Sequence, residues 1–265
     1  MKHFKRYWLP VLLTTCIAGL PSYSSPHQQK SFCNGLAQKN YNLLIHFKAV
    51  AGEQPLVFGK TYTNAFNEPY TAEKFKFYIC RINLTDNNTH KISRVNMDDY
   101  FLVDFSDSSS LTIPLSVVPG QYSIITFLLG VDSIHNVSGA QTGALDPARG
   151  MFWTWNSGYV MAKLEGSSPL SNQPGHAITY HIGGYKDSNN VAKNIALSFS
   201  HGQQLEVYPG KISGIIITAN VNAWFTHPHD IRIKEIPTCT TPGSLAKNIS
   251  ENYANMFTVT ALTNE

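Results

Sequence analysis

The chain has 265 residues, 43% of them hydrophobic, with 20 Lys and Arg against 17 Asp and Glu. Lys2, Lys5 and Arg6 fall in a leader-like start that carries no acidic residue, so the remainder balances at 17 of each sign. That balance, without a clustered Lys/Arg stripe, gives no support to nucleic acid or an anionic membrane as partner, and roughly 240 mature residues suffice for one good core.

In chain order, the basic start is followed by the apolar run Trp8 to Leu20 and by Pro21-Ser22-Tyr23-Ser24, so residues 1–24 read as a signal peptide. The run is shorter than the ~20 residues a spanning helix needs. Cleavage near Ser24 is preferred to a lipid anchor at Cys16, because Thr15 stands where a small residue is usual. Residues 25–40 are a polar, flexible lead-in, and 41–258 are expected to form one domain. Tyr41 to Val50 alternates, with Leu43, Ile45 and Phe47 on one face; Lys74 to Leu84 does the same with Phe75, Phe77 and Ile79. Further strands are expected at 100–105, 109–115, 121–129, 176–182, 195–199, 204–208 and 211–221, with turns at Pro119-Gly120 and Pro209-Gly210. Many short strands without alternating helices predict an all-β, antiparallel β-sandwich of the Ig-like or Greek-key type. After Pro242-Gly243, Ser244 can cap a short C-terminal helix carrying Leu245, Ile249, Tyr253 and Met256 at helical spacing.

The stretch Gly130 to Gly166 is too irregular for a plain helix or strand and concentrates Trp153, Trp155, Phe152 and Tyr159 among glycines. It reads as a packed plug or as a redox or ligand site. His227-Pro228-His229 is the tightest histidine pair; it reads either as a solvated loop or as an extended strand, on which two imidazoles two residues apart point the same way and can share a metal. His181 in TYHIGG and His135 in the central stretch are the other candidate ligands. Imidazoles with few carboxylates suit copper, with zinc possible, better than calcium or magnesium. Asp132 and Asp146 are candidate acceptors for an imidazole, although Asp146-Pro147 also reads as a turn. Cys33 and Cys239, both in loop-like context, are the expected disulfide, while Cys80 reads as a small buried residue. No nucleophile elbow, phosphate loop, zinc-protease signature or CxxC occurs, so the chain is not read as an enzyme.

The run GVDSIHNVSGAQTGALDPARGMFWTWNSGY, the following KLEG, the strand KFKFYICRINL, YHIGG and ENYANMF together resemble the MbnP-like family of secreted bacterial proteins, over about Tyr41 to Phe257. The resemblance implies an antiparallel sandwich outside the cytoplasm, periplasmic, secreted or on the cell surface. It also implies copper binding and a partner dihaem peroxidase of the MauG type that oxidises a Trp to kynurenine. Carried over, Trp153 is the first candidate for oxidation and Trp155 the second, and His227 and His229 correspond to the His-x-His part of the copper site in related surface proteins. The third histidine of that subgroup, two residues after the modified Trp, has no counterpart, since Trp155 stands there. His135 or His181 would have to complete the site. The reading that follows is an extracytoplasmic copper carrier or store. The alternative is a secreted binding or adhesion module that uses the aromatic loop 150–159 without metal.

Overall fold

Strict alternation in the first described segment makes the first strand. β1 (Leu43–Ala51) buries Leu43, Ile45 and Phe47 on one face, as the two-residue period of a strand requires. The computed structural model describes residues 41–86, 89, 92–96, 99–153, 158–199 and 202–264. Short β2 (Gln54–Pro55) and β3 (Thr61–Thr63) lead to β4 (Pro69–Asp86), an 18-residue strand that outruns the expected 74–84 at both ends. β5 (Ile92–Asn96), β6 (Phe101–Asp104), β7 (Thr112–Leu115) and β8 (Gly120–Leu129) follow. The central stretch then forms a short helix, α1 (Ser133–Val137), a pair of 3-10 turns, β9 (Phe152–Trp153) and β10 (Gly158–Ser167). β11 (Ala177–Gly183), β12 (Lys193–Ser198), β13 (Leu205–Val207) and β14 (Ser213–Asn220) come next. β15 (Thr238–Cys239), α2 (Ser244–Tyr253) and β16 (Phe257–Asn264) complete the strands and α-helices of the described residues.

These strands form two sheets. The five-stranded one runs β16-β14-β1-β2, with β7 also on β1; the eleven-stranded one runs β12-β8-β4-β10-β11-β15, with β13 on β8, β3, β5 and β6 on β4, and β9 on β10. The fold is the β-sandwich expected, with two corrections. The sheets are mixed: β1 lies parallel to β14 over Leu43↔Ser213 to Val50↔Asn220, and β11 lies parallel to β15. Alternation cannot reveal this, because inward and outward positions are the same whichever way a neighbour runs. The domain also extends past 258, because β16 pairs antiparallel with β14 from Phe257 to Asn264. α2 starts where expected, but its cap is Gly243, without a side-chain hydrogen bond, and Ser244 is its first residue.

Alternation along β4 divides its side chains between two cores. Phe75, Phe77 and Ile79 enter the main core between the sheets. Tyr78 enters a second cluster with Leu102, Val131, Leu145, Met151, Trp153, Tyr159 and Val160. This second cluster is built by the central stretch laid against the large sheet. The irregular-looking run therefore contains a regular strand: β10 pairs with both β4 and β11, and residues 158–164 are all buried. A strand covered on both faces loses the apolar–polar alternation by which strands are recognised.

Candidate functional site

Asp132 organises the chemistry of the central stretch. It caps α1, and its two oxygens divide four donors between them. Oδ1 accepts from the His135 backbone N and lies 2.9 Å from His135 Nδ1, while Oδ2 accepts from Arg81 at 2.7 Å and from the Tyr100 hydroxyl at 2.8 Å. Asp132 as a whole is 9% exposed. Burial alone would raise its pKa, but the hydrogen bonds from His135 and Tyr100 outweigh it and hold the group below its usual range. Arg81 reaches Asp132 from a bulge in β4, where the pairing with β8 slips between Cys80 and Asn83 and Arg81 itself has φ 52°. A left-handed backbone at a residue other than glycine is uncommon and strained. Tyr100 also packs edge-on against the His135 ring at 4.8 Å. His135, Tyr100, Gln141, Thr142 and Leu145 line a cavity of about 340 Å³.

The other candidate histidines lie in other settings. On the large sheet, His181 Nε2 is 2.8 Å from Glu165 Oε1, and Lys74 is 2.7 Å from Oε2. Burial raises the Glu165 pKa, but the hydrogen bonds from Lys74 and His181 and the charge of Lys163 bring it down to about 2. Burial and the neighbouring Lys163 charge lower the His181 pKa. Lys163, itself buried, donates to the Gly150 carbonyl at 2.6 Å and so ties the central stretch to β10. His229 Nε2 lies 2.6 Å from Glu251 of α2, while buried Asn252 accepts from its backbone N and donates to its carbonyl. His227 stands beside a cavity lined by Thr63, Asn64, Asn220, Asn222 and Asn255.

The HPH segment takes the loop alternative rather than an extended strand. Its residues lie in bends, the His227–Pro228 peptide is cis, and His227 has φ 57°; the left-handed turn at His227 removes the two-residue geometry that would set both imidazoles on one side. Nor do His135, His181, His227 and His229 form one centre. Three of them are held by three different carboxylates, and among the described residues no group of three or more His, Cys, Asp or Glu is arranged to hold a metal. Met151, Met161 and Met256 are core residues. Asp146 caps the 3-10 turn Pro147–Arg149 and acts as a turn residue.

Trp153 is 6% exposed and packs in the second core with Phe152 and Tyr159, its ring lying against Gly183. Trp155 lies outside the described residues, as do Cys16 and Cys33. Among the described residues neither Cys80 nor Cys239 has a disulfide partner, and both are buried; burial pushes a thiol at either place up to about 11. The expected Cys33–Cys239 bridge thus has one end outside the described residues. Arg81, Tyr100, Glu165, Glu251 and Asn252 are site residues that sequence reasoning missed. Only the Asp132–His135 spacing, a cap and the third residue of its helix, carried a local signal.

Fold and site together define a mixed two-sheet β-sandwich whose large sheet carries a second core and a carboxylate-held imidazole. The chain belongs to the MbnP family, whose model matches residues 40–241. Among solved structures, MbnP from Methylosinus trichosporium is similar, with a TM-score of 0.45 and 14% identity over 71% of this chain and 78% of that one. No curated protein matches. No helix among the described residues is long and apolar enough to cross a membrane.

Proposed function

We propose that the chain is an extracytoplasmic copper-binding protein, a carrier rather than an enzyme. The leader-like start and membership of the MbnP family support the compartment and the metal. The observation that carries the reading is the state of the histidines: His135, His181 and His229 are each held by a carboxylate through one ring nitrogen. Carboxylate-held imidazole is the usual environment of a metal-ligating histidine, because the carboxylate fixes the tautomer and raises the basicity of the other nitrogen. The donor type fits copper, with zinc as competitor. The donor arrangement does not fit a single four-histidine centre, so the imidazoles are offered singly. A metal held by one protein donor keeps open positions and exchanges readily, which suits a carrier better than a store. When bound, copper would supply a redox-active, exchangeable ion.

Trp153 or Trp155 is the residue we assign to oxidation to kynurenine by a partner dihaem peroxidase of the MauG type. Trp153 is supported by its place in the second core, where neighbours hold the indole fixed while electrons are withdrawn by a partner outside. The alternative, a metal-free adhesion module using loop 150–159, is weakened by the same burial: an indole 6% exposed offers no open face to a ligand.

Titration of Cu(I) and of Cu(II) into the wild type, His135→Ala and the His227→Ala/His229→Ala double variant tests the copper reading. Stoichiometric binding that at least one variant loses is expected; a wild type that takes up no copper would refute it. Intact mass of the protein produced beside its peroxidase tests the oxidation. The expected product has gained one oxygen and lost one carbon at Trp153 or Trp155, and an unchanged mass removes the assignment.

A further inference from the structure

We infer that an apolar groove on the open edge of β1 binds the tail of a single-chain aliphatic carboxylate, with Lys48 at its mouth receiving the carboxylate; the site is independent of the copper reading. The groove exists because two short strands share one edge of β1 and leave a gap between them. β7 pairs with β1 only as far as His46↔Thr112, and the β2 pairing begins at Val50↔Pro55. Among the described residues, no strand therefore lies beside Phe47–Ala49 on that side. Leu56, Val57, Phe58, Phe105 and Leu111 frame the gap and line a cavity of about 460 Å³, within the range of about 300–1,000 Å³ usual for ligand sites.

The lining is held in place without a ligand. Phe105 stacks on Phe75 at 5.0 Å and stands 6.1 Å from Phe77, so this part is rooted in the main core. The segment after β2 is pinned by the Tyr62 hydroxyl, which accepts from Val57 N at 2.7 Å and donates to the Pro55 carbonyl at 2.8 Å, and by Leu56 N on the Ala49 carbonyl at 2.9 Å. Val57 is nevertheless 55% exposed, and Leu56 and Phe58 beside it are only partly buried. Covering apolar surface on so fixed a backbone is favourable and requires no reordering of the protein. The gap covers only Phe47–Ala49, shorter than the ~5–6 residues of an ordinary strand, so an alkyl chain fits it better than an added peptide strand. Charge selects the head group. No Asp or Glu lines the groove, and Lys48, exposed at its edge, forms no ion pair among the described residues. An aliphatic cation would meet a like charge there, whereas a carboxylate meets an opposite one.

Decanoate titrated into the protein below its micellar concentration, followed by calorimetry and by amide NMR shifts, tests the site. Saturable binding is expected, with shifts centred on 47–50, 55–58, 105 and 111. Affinity should rise by up to about fourfold for each methylene between octanoate and decanoate. Lys48→Met should weaken decanoate about two- to fivefold, the worth of an exposed ion pair, and leave decanol unchanged. Val57→Asp alters an exposed position that the fold does not need, and should weaken decanoate and decanol alike by about tenfold or more, because the bound chain would bury a charge. Decyltrimethylammonium should bind less tightly than decanoate. Absence of saturable decanoate binding overturns the proposal, as do shifts that map elsewhere or a folded Val57→Asp that binds like the wild type. Equal binding of the decyl cation, or unchanged decanoate affinity in Lys48→Met, overturns the carboxylate as the head group.

Discussion

Replacing Gly183 by alanine should destabilise the protein through the second core. An added Cβ would stand 2.6 Å from Cζ3 of Trp153, 2.8 Å from its Cη2, and 2.6 Å from the backbone oxygen of Tyr159. Carbon atoms in contact prefer about 3.5–4.0 Å, so something must move. The Tyr159 oxygen belongs to β10, whose neighbour Val160 pairs with Gly183, and cannot retreat without opening that ladder. The indole can retreat only by leaving its place among Tyr78, Met151 and Tyr159. Overpacking of this kind costs about 1–3 kcal/mol. For a domain of this size each kcal/mol lowers the melting midpoint by about 2–4 °C, so a fall of roughly 2–12 °C is expected. Thermal melting followed by circular dichroism measures it, and Trp emission recorded beside it should shift red as the ring gains water. A variant that melts with the wild type and keeps its emission would show that the ring is not wedged against Gly183, and the second core as described would be wrong.

Glu165→Gln should flatten the acid limb of stability. The folded-state pKa of about 2 lies below the ordinary 4.5, so the wild-type contribution is complete above 4.5 and is lost as pH falls toward 2; the Gln variant lacks this slope in a pH series of urea midpoints. Asn252→Leu leaves the His229 backbone N, the His229 carbonyl and the Trp224 carbonyl without their buried partner, and should cost about 3 kcal/mol or more in chemical denaturation. At Arg81, Val should be less stable than Asn by about 1 kcal/mol, since both lose the ion pair but only Asn tolerates a left-handed backbone; equal midpoints would mean the bulge relaxes once Arg81 is gone.

What the sequence discloses here is what repeats locally. Phe75, Phe77 and Ile79 announce their strand because one face is covered and the other partly open. Tyr159 to Leu164 does not, because β10 is covered on both faces and its turn-rich approach masks the strand. The Thr-rich β16 has few large apolar residues and follows a helix, so only its partner β14 identifies it. The site divides in the same way. Asp132 and His135 are three residues apart and could be paired on paper. Glu165, Glu251 and Arg81 reach their partners across neighbouring strands, from a helix or from a bulge, and no spacing encodes such contacts. At His227 and His229 the sequence left loop and strand both open, because a left-handed backbone at a histidine is rare and nothing in HPH signals it.

The second core has a consequence for how the molecule comes apart. It is a separate cluster of eight buried residues, yet Tyr78, Leu102, Tyr159 and Val160 stand on β4, β6 and β10 of the large sheet, so the sheet itself is one wall of it. The central stretch is bound to that wall by the β9–β10 pairing, by Gly130 N to the Tyr78 carbonyl and Val160 N to the Met151 carbonyl, by Arg81 and Tyr100 at Asp132, and by Lys163 at the Gly150 carbonyl. A segment so heavily tied opens with the sheet rather than ahead of it, so the amide protons around Trp153 should exchange at a free energy close to that of the large sheet.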